Sequence, residues 1–519
     1  MKNELTPLGQ QFIASLTHSR AIAAEKNKVD TSAEKVHVVG GGGTIVAAYE
    51  QFRNAAEYTE EHLLLQRAIR RYYKRLFLSQ DRNQLAHSAE ELIVELTLAG
   101  YLANDSIPHK LLSTIDSLAT VYFDAHVQLQ LQNNTHFKEA WTLDVLSVRV
   151  EDTLHDLTDE NIFAQLCFDH FISTIDMNTL TKDTNTSDAE PALFVAIHRS
   201  LLRSGDATIR TALLDRYRQT PETLESYVAV NHQIDQLFDA DTTDKLMRIV
   251  TRRGAPLRVF RHMLSDQENV DSLLQSQANF LSSFEAQTNK EYESIAHRIN
   301  RGIIKSVIFL IITKVIIGLA IEVPYDYAVH GGIILLPLII NLLFPPLYMI
   351  LLRLTLVLPG YANTAALVDR IDAIFYGQPA QYLTRKRGGR FGVAFNIVYA
   401  AIIIGVFGLV SWWLISLGFS FLHLLIFFVF LSTASFLGFR LSRMVREIEV
   451  VDADQNGITF VRDVLYMPFV VVGRWISEKY AKVNIVATVL DLVIELPLKT
   501  VLRLVRQWGA FISNKKDEL

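Results

Sequence analysis

The chain is predicted to be all-α: a large helical region, a four-helix transmembrane region, and C-terminal amphipathic helices with one short β-hairpin. Three observations predict this. Four apolar runs crowd residues 302–440, each close to the roughly 20 residues that a bilayer-crossing helix needs. Residues 1–301 repeat their apolar positions at steps of three and four, the helical period. Beyond residue 440 the chain stays apolar but gathers its charges on a narrow stripe.

Composition bounds the function. The 519 residues leave room for two or three domains. A net charge of −5 gives no field for nucleic acid, so no nucleic-acid partner is expected. The single cysteine, Cys167, makes no internal disulfide, which points to a reducing compartment. The N-terminal stretch lacks an apolar core, so insertion is expected to start from internal segments.

The elements follow in order. Gly40–Gly43 reads as a joint before a helix over 44–78, on which Glu57, Glu60 and Glu61 lead and Arg67, Arg70, Arg71, Lys74 and Arg75 follow, an order that suits the helix dipole. The glycine run could cradle an anion, but no Lys-Ser/Thr pair follows it. The arginines read as a solvated basic face, with an anionic docking patch as the rival. Helical patterns continue over 86–103, 106–132, 141–175, 191–218, 221–238 and 242–264, and the polar run at 176–190 marks a sub-boundary. A last helix starts at Ser265-Asp266. Its seam of Val270, Leu273, Leu274, Phe280, Leu281, Phe284, Tyr292, Ile295 and Ile299 meets no Gly or Pro before Gly302, so it is expected to run unbroken into the first span.

The spans are placed at 303–321, 331–352, 393–417 and 419–437, with Glu322–Tyr327 as the loop after the first. That loop has no Lys or Arg. Arg298 and Arg301, then Arg353, Arg370, Arg385, Lys386, Arg387 and Arg390, then Arg440, Arg443 and Arg446 flank the opposite ends. Positive charge stays inside, so both termini are expected to be cytoplasmic, the spans to form two hairpins, and Trp412 and Trp413 to lie at the outer interface. The last four residues spell an ER-retrieval address, which a cytosolic tail makes a chance match.

After the fourth span, polar groups at Asn484, Thr488, Asp491, Glu495, Lys499, Arg503 and Arg506 share one stripe, predicting an interfacial helix rather than a fifth span. Phe460–Lys482 repeats the pattern. Arg385, Lys386, Arg387, Arg390, Arg503 and Arg506 are candidates for binding anionic inner-leaflet lipid.

Several residues invite a chemical reading. Asp452, Asp454, Asn456 and Asp463 imitate the oxygen spacing of a calcium loop around Gly457. A β-hairpin closed at Asn456-Gly457 between Glu447–Val451 and Ile458–Val461 is the reading preferred over calcium. Lys314 falls mid-span, where charge marks function by default. Asn341 and the carbonyls freed by Pro345-Pro346 are its expected partners, with snorkelling along a tilted helix or a span shifted outward as the rival reading. Lys305 needs only to snorkel. Successive residues of Cys167-Phe168-Asp169-His170 point to different helix faces and form no constellation by themselves, and no zinc spacing occurs. No cofactor and no catalytic residue is expected.

Three passages look familiar together: Ala48–Asn54 with Glu61–Leu64 and Arg67–Ile69; Ala196–Leu202 with Ala207–Arg210; and Gly473–Ser477 with Asn484-Ile485 and Leu490–Lys499. They resemble uncharacterised large multi-pass membrane proteins of small-genome, candidate-phyla bacteria. The resemblance implies a bacterial plasma membrane and carries no activity. The sequence reading is therefore a membrane-anchored cytosolic scaffold or adaptor with a protein partner or a second copy of itself. A transporter or channel subunit using Lys314 and Asn341 is the alternative, and an enzyme of lipid or envelope substrates stands third.

Overall fold

The computed structural model describes residues 4–30, 34–38, 50, 63–80, 82–131, 137–155, 158–176, 189–267, 269–356, 358–377, 393–451 and 457–482. These residues are all-α, with no strand and only isolated bridges such as Lys35 with Pro108. They divide into two compact units, Leu5–Val250 and Thr251–Val483.

The first unit is a helical domain: α1 (Pro7–Asp30), α2 (Leu64–Ser79), α3 (Arg82–Leu85), α4 (Ser88–Leu98), α5 (Lys110–Leu131), α6 (Phe137–Leu154), α7 (Thr158–Thr174), α8 (Ala189–Ile197), α9 (Asp206–Arg216), α10 (Leu224–Phe238) and α11 (Asp241–Arg253), whose end crosses the division. Helix α2 buries Ala68, Ile69, Tyr72, Tyr73, Leu76 and Phe77 along one face. Phe77 meets Phe123 edge to face at 5.2 Å, and the Tyr72 hydroxyl donates to the Ser88 carbonyl at 2.9 Å. The arginines of α2 are not all left to solvent. Arg70 pairs with Asp144, Arg71 with Glu50 at 2.7 Å, and Arg75 with Glu95 at 2.7 Å. Arg210, buried on α9, donates to Asn231 at 2.8 Å and pairs with Asp235.

The second unit begins with α12 (Ala255–Asp266) and α13 (Val270–Leu274). Helix α14 (Gln277–Ile317) follows and runs through a π turn, Gly318–Glu322, into α15 (Val323–His330). The remaining helices are α16 (Leu335–Thr355), α17 (Tyr361–Phe375), α18 (Val393–Ser416), α19 (Phe421–Arg446) and α20 (Gly457–Lys482). Four of these segments are long and apolar enough to cross a membrane: Gln277–His330, Leu335–Leu354, Ile397–Ser416 and Phe421–Arg446. The unbroken entry into the first span is present, but the helix starts at Gln277 rather than at Ser265-Asp266: those two residues close α12, and Val270–Leu274 forms the separate α13. Outside the spans, Phe260, Phe280 and Phe375 join α12, α14 and α17 with ring centroids 5.0–5.9 Å apart. Asn363 on α17 ties its helix to α14 and to the backbone that follows α19. Its amide donates to the Tyr292 hydroxyl at 2.8 Å and the Ile448 carbonyl at 2.9 Å, and its oxygen accepts Val450 N–H at 2.6 Å.

The spans pair in alternation. The turn after α15 and the turn before α19 share one end, because Asp326 and His423 meet there. At the other end Arg353 donates to Asn300 at 2.6 Å. Between the ends, the Ser435 hydroxyl donates to Tyr348 at 2.9 Å.

Three local expectations are corrected. Glu322–Tyr327 is helical rather than a loop. Pro324 offers no N–H to the carbonyl four residues back, and the wider π turn relieves its ring clash there. The β-hairpin is not formed, since Ile458–Val461 lie inside α20. Ile458, Val461, Leu465 and Phe469 recur at steps of three and four, so the helical period wins over the strand preference of β-branched residues. Finally, α20 packs along the spans rather than touching only their ends. Phe469 lies 4.9 Å from Phe407 and 6.3 Å from Phe428, ring to ring, and the Tyr466 hydroxyl donates to the Ser435 carbonyl at 2.7 Å. Gly473 permits this approach, because a Cβ there would lie 2.1 Å from the Ser432 carbonyl oxygen.

Candidate functional site

The site grows from the π turn. An ideal α-helix rotates about 100° per residue, so the eight-residue step from Lys314 to Glu322 would overshoot two turns by about 80°. The π turn absorbs one residue, and an effective seven fall only about 20° short. Glu322 is thereby brought into line with Lys314. The Lys314 ammonium donates to Glu322 Oε1 at 2.5 Å, with both side chains at 2% exposure or less. The same ammonium sits over the Phe430 ring, 4.9 Å from its centroid.

Asn341 on α16 closes the pair from the facing helix. Its amide nitrogen reaches Glu322 Oε1 and the His423 carbonyl, both at 3.3 Å. Asn341 and His423 are fully buried. One turn beyond Glu322 lies Asp326, also fully buried, whose Oδ2 accepts the Ile334 N–H at 3.0 Å across the turn. Its Oδ1 faces His423 Nε2 at 3.3 Å and His330 Nδ1 at 3.6 Å. Lys, Glu, Asp, Asn and His are thus assembled in the interior of the apolar bundle, where any uncompensated charge is costly.

Of the sequence candidates, Lys314 and Asn341 are brought together, joined through Glu322. The Lys314 ammonium engages that carboxylate, whereas the expected partners were Asn341 itself and the carbonyls freed at Pro345-Pro346. Glu322, Asp326 and His423 escaped the sequence reading. The first two fell in the supposed loop, and His423 lies just inside the 419–437 span as its one titratable residue. A usable signal was present, since Lys314, Glu322, Asp326 and His330 follow at steps of eight, four and four. Lys305 is exposed as a snorkelling residue would be, and Trp412 and Trp413 are exposed near the turn end of α18.

Other candidates stand apart. Cys167 and His170 are buried in the α7 core, and burial pushes the His170 imidazole down to about 4. Gly40–Gly43, Asp452, Asp454, Asn456, Arg385, Lys386, Arg387, Arg390, Arg503 and Arg506 lie outside the described residues, and Asp463 is described only by its place on the α20 backbone. Among the described residues no group of three His, Cys, Asp or Glu side chains is arranged to hold a metal.

Comparison of the chain with protein families, with curated proteins and with solved structures finds no match.

Proposed function

We propose that the chain is a multi-pass membrane protein whose spans move charge, as a transporter or channel subunit, through the Lys314–Glu322–Asn341 site. One observation carries this reading: a lysine and a glutamate paired in the bundle interior, with an asparagine of the facing helix donating to the glutamate. Intramembrane ionisable groups typically mark ion paths or proton relays, and π turns recur at functional sites. Four spans are few for a monomeric carrier, so the reading includes an oligomer in the membrane. The loop charges support an orientation with both hairpin turns outside and both termini in the cytoplasm. A bacterial plasma membrane rests on the family resemblance alone.

A membrane-anchored scaffold is the second reading, favoured by the unbroken helix from Gln277 to Ile317, which joins the α12–α17 layer to the first span. In that case the ion pair only fixes the packing of the bundle. Reconstitution of the purified chain into vesicles separates the two. Charge movement driven by an imposed potential, abolished in the double variant Lys314→Leu with Glu322→Leu, whose fold is expected to persist, supports translocation. An electrically silent wild type that co-purifies with a stoichiometric partner supports the scaffold.

A further inference from the structure

Glu322, Asp326 and His330 follow one another at four-residue steps, leading from the buried ion pair to the turn at Gly331. The last of them, His330, is about one-third exposed, whereas Asp326 is wholly buried. From the facing segment, His423 Nδ1 accepts the backbone N–H of Ser420 at 3.4 Å and meets the Ser420 hydroxyl at 2.9 Å. A neutral His423 therefore carries its proton on Nε2, the nitrogen that faces Asp326 Oδ1 at 3.3 Å. Four atoms of this chain of groups make no hydrogen bond in the fold: Asp326 Oδ1, His423 Nε2, Glu322 Oε2 and Asn341 Oδ1. Buried polar atoms are nearly always satisfied, and exceptions often mark a functional site.

We infer that the ion handled here is the proton, and that His330, Asp326 and His423 form its port to the aqueous phase at the turn end of the bundle. This deepens the translocation reading and rests on it. The chemistry around the site selects the ion. A metal cation at Glu322 would meet the Lys314 ammonium already bound there at 2.5 Å. An anion would meet two carboxylates. Imidazole, by contrast, exchanges protons near neutral pH.

Asp326 sees His330 from its own helix and His423 from α19, with the Tyr325 ring 6.1 and 6.3 Å from the two imidazoles. Glu322 sees Lys314 from its own helix and Asn341 from α16. Hydronium at the turn gives one proton to His330 and leaves as water. From a resting separation of 3.6 Å, the His330 N–H closes on Asp326 Oδ1 and gives it that proton, making a neutral carboxyl, while the Nε2–H of His423 faces the same oxygen and holds the carboxylate in place beforehand. The next base inward is Glu322, one helical turn deeper. Each transfer breaks one N–H or O–H bond and forms another, with no redox partner.

The test uses the full-length chain in vesicles carrying a pH-sensitive dye, with a potassium diffusion potential to drive charge. Wild type is expected to shift internal pH. His330→Ala, a change at a partly exposed side chain, is expected to slow that shift at least about a hundredfold, the low end of what a positioned proton-transfer group contributes. Millimolar imidazole added outside is expected to restore it, a rescue that a purely structural role would not show. If wild type carries sodium or potassium while internal pH stays fixed, the proton assignment falls and translocation stands. If no ion moves, both fall. If His330→Ala moves protons at the wild-type rate, the port is elsewhere.

Discussion

Removing one member of the Lys314–Glu322 pair leaves the other charge buried without its counterion, at a cost of about 3–5 kcal/mol. Lys314→Leu is therefore expected to unfold far below wild type in detergent, as read by thermal melting followed by size-exclusion chromatography. The double change Lys314→Leu with Glu322→Leu is expected to melt near wild type, since paired buried charges can often be replaced by apolar groups without loss. A double variant as unstable as the single would show that the pair's geometry, rather than its charge balance, holds the spans. A second residue-scale effect lies in the helical domain. Burial, then Asp152 and Glu160, push the Glu151 carboxyl up to about 7. Its folded pKa exceeds the unfolded one, so its stabilising contribution is complete below about pH 4.5 and disappears as pH rises through 7. Glu151→Gln is expected to raise the melting temperature at pH 8 by about 2–4 °C, near 1 kcal/mol, and to change little at pH 5. Equal shifts at both pH values would refute the buried-carboxyl account.

Elements were legible where one physical signal dominated. The span lengths follow from the lengths of the apolar runs, and the continuity of α14 from a seam that meets no Gly or Pro between Gln277 and Gly302. Glu322–Tyr327 was misread because Glu, Pro and Asp in succession carry a loop signature, and a π turn has no sequence mark of its own. The same gap hid Glu322 and Asp326 from the site. The π turn makes a sharp prediction. Deleting Ala320 leaves the seven-residue spacing of a regular helix, so the Lys314–Glu322 pair and the melting temperature are expected to persist. Inserting one alanine there is expected to rotate Glu322 away and to destabilise the bundle as Lys314→Leu does. Helix α20 was misplaced for a different reason. Its contact with α19 depends on Gly473, and a glycine in an apolar helix does not declare its neighbour. Gly473→Val is expected to push α20 off α19 and to cost about 1–3 kcal/mol in the same melting assay, the usual penalty for overpacking. An unchanged melt would mean that the two helices part without consequence.

At the scale of the whole molecule, the two units follow different rules. In Leu5–Val250 water drives apolar side chains inward, and the cross-helix pairs of Arg70, Arg71 and Arg75 settle which faces meet. In the spans the pattern inverts. Ile397, Ile404, Leu409 and Trp412 of α18 point outward, as lipid or a second copy requires, while charges point in. The composition of the chain announces that division, but the partner of an intramembrane charge is set by helix phase, which a hydropathy pattern does not carry.

The account rests on two hairpins crossing the bilayer with both turns on the outer side. Labelling of single-cysteine variants in intact cells by a membrane-impermeant maleimide tests this most directly, in a Cys167→Ser background that removes the native thiol. Gly332→Cys and Ser416→Cys, both at the turn end, are expected to react, and Ser265→Cys on α12 is expected to react only after lysis. Labelling of Ser265→Cys in intact cells, with both turn positions silent until lysis, would contradict the account.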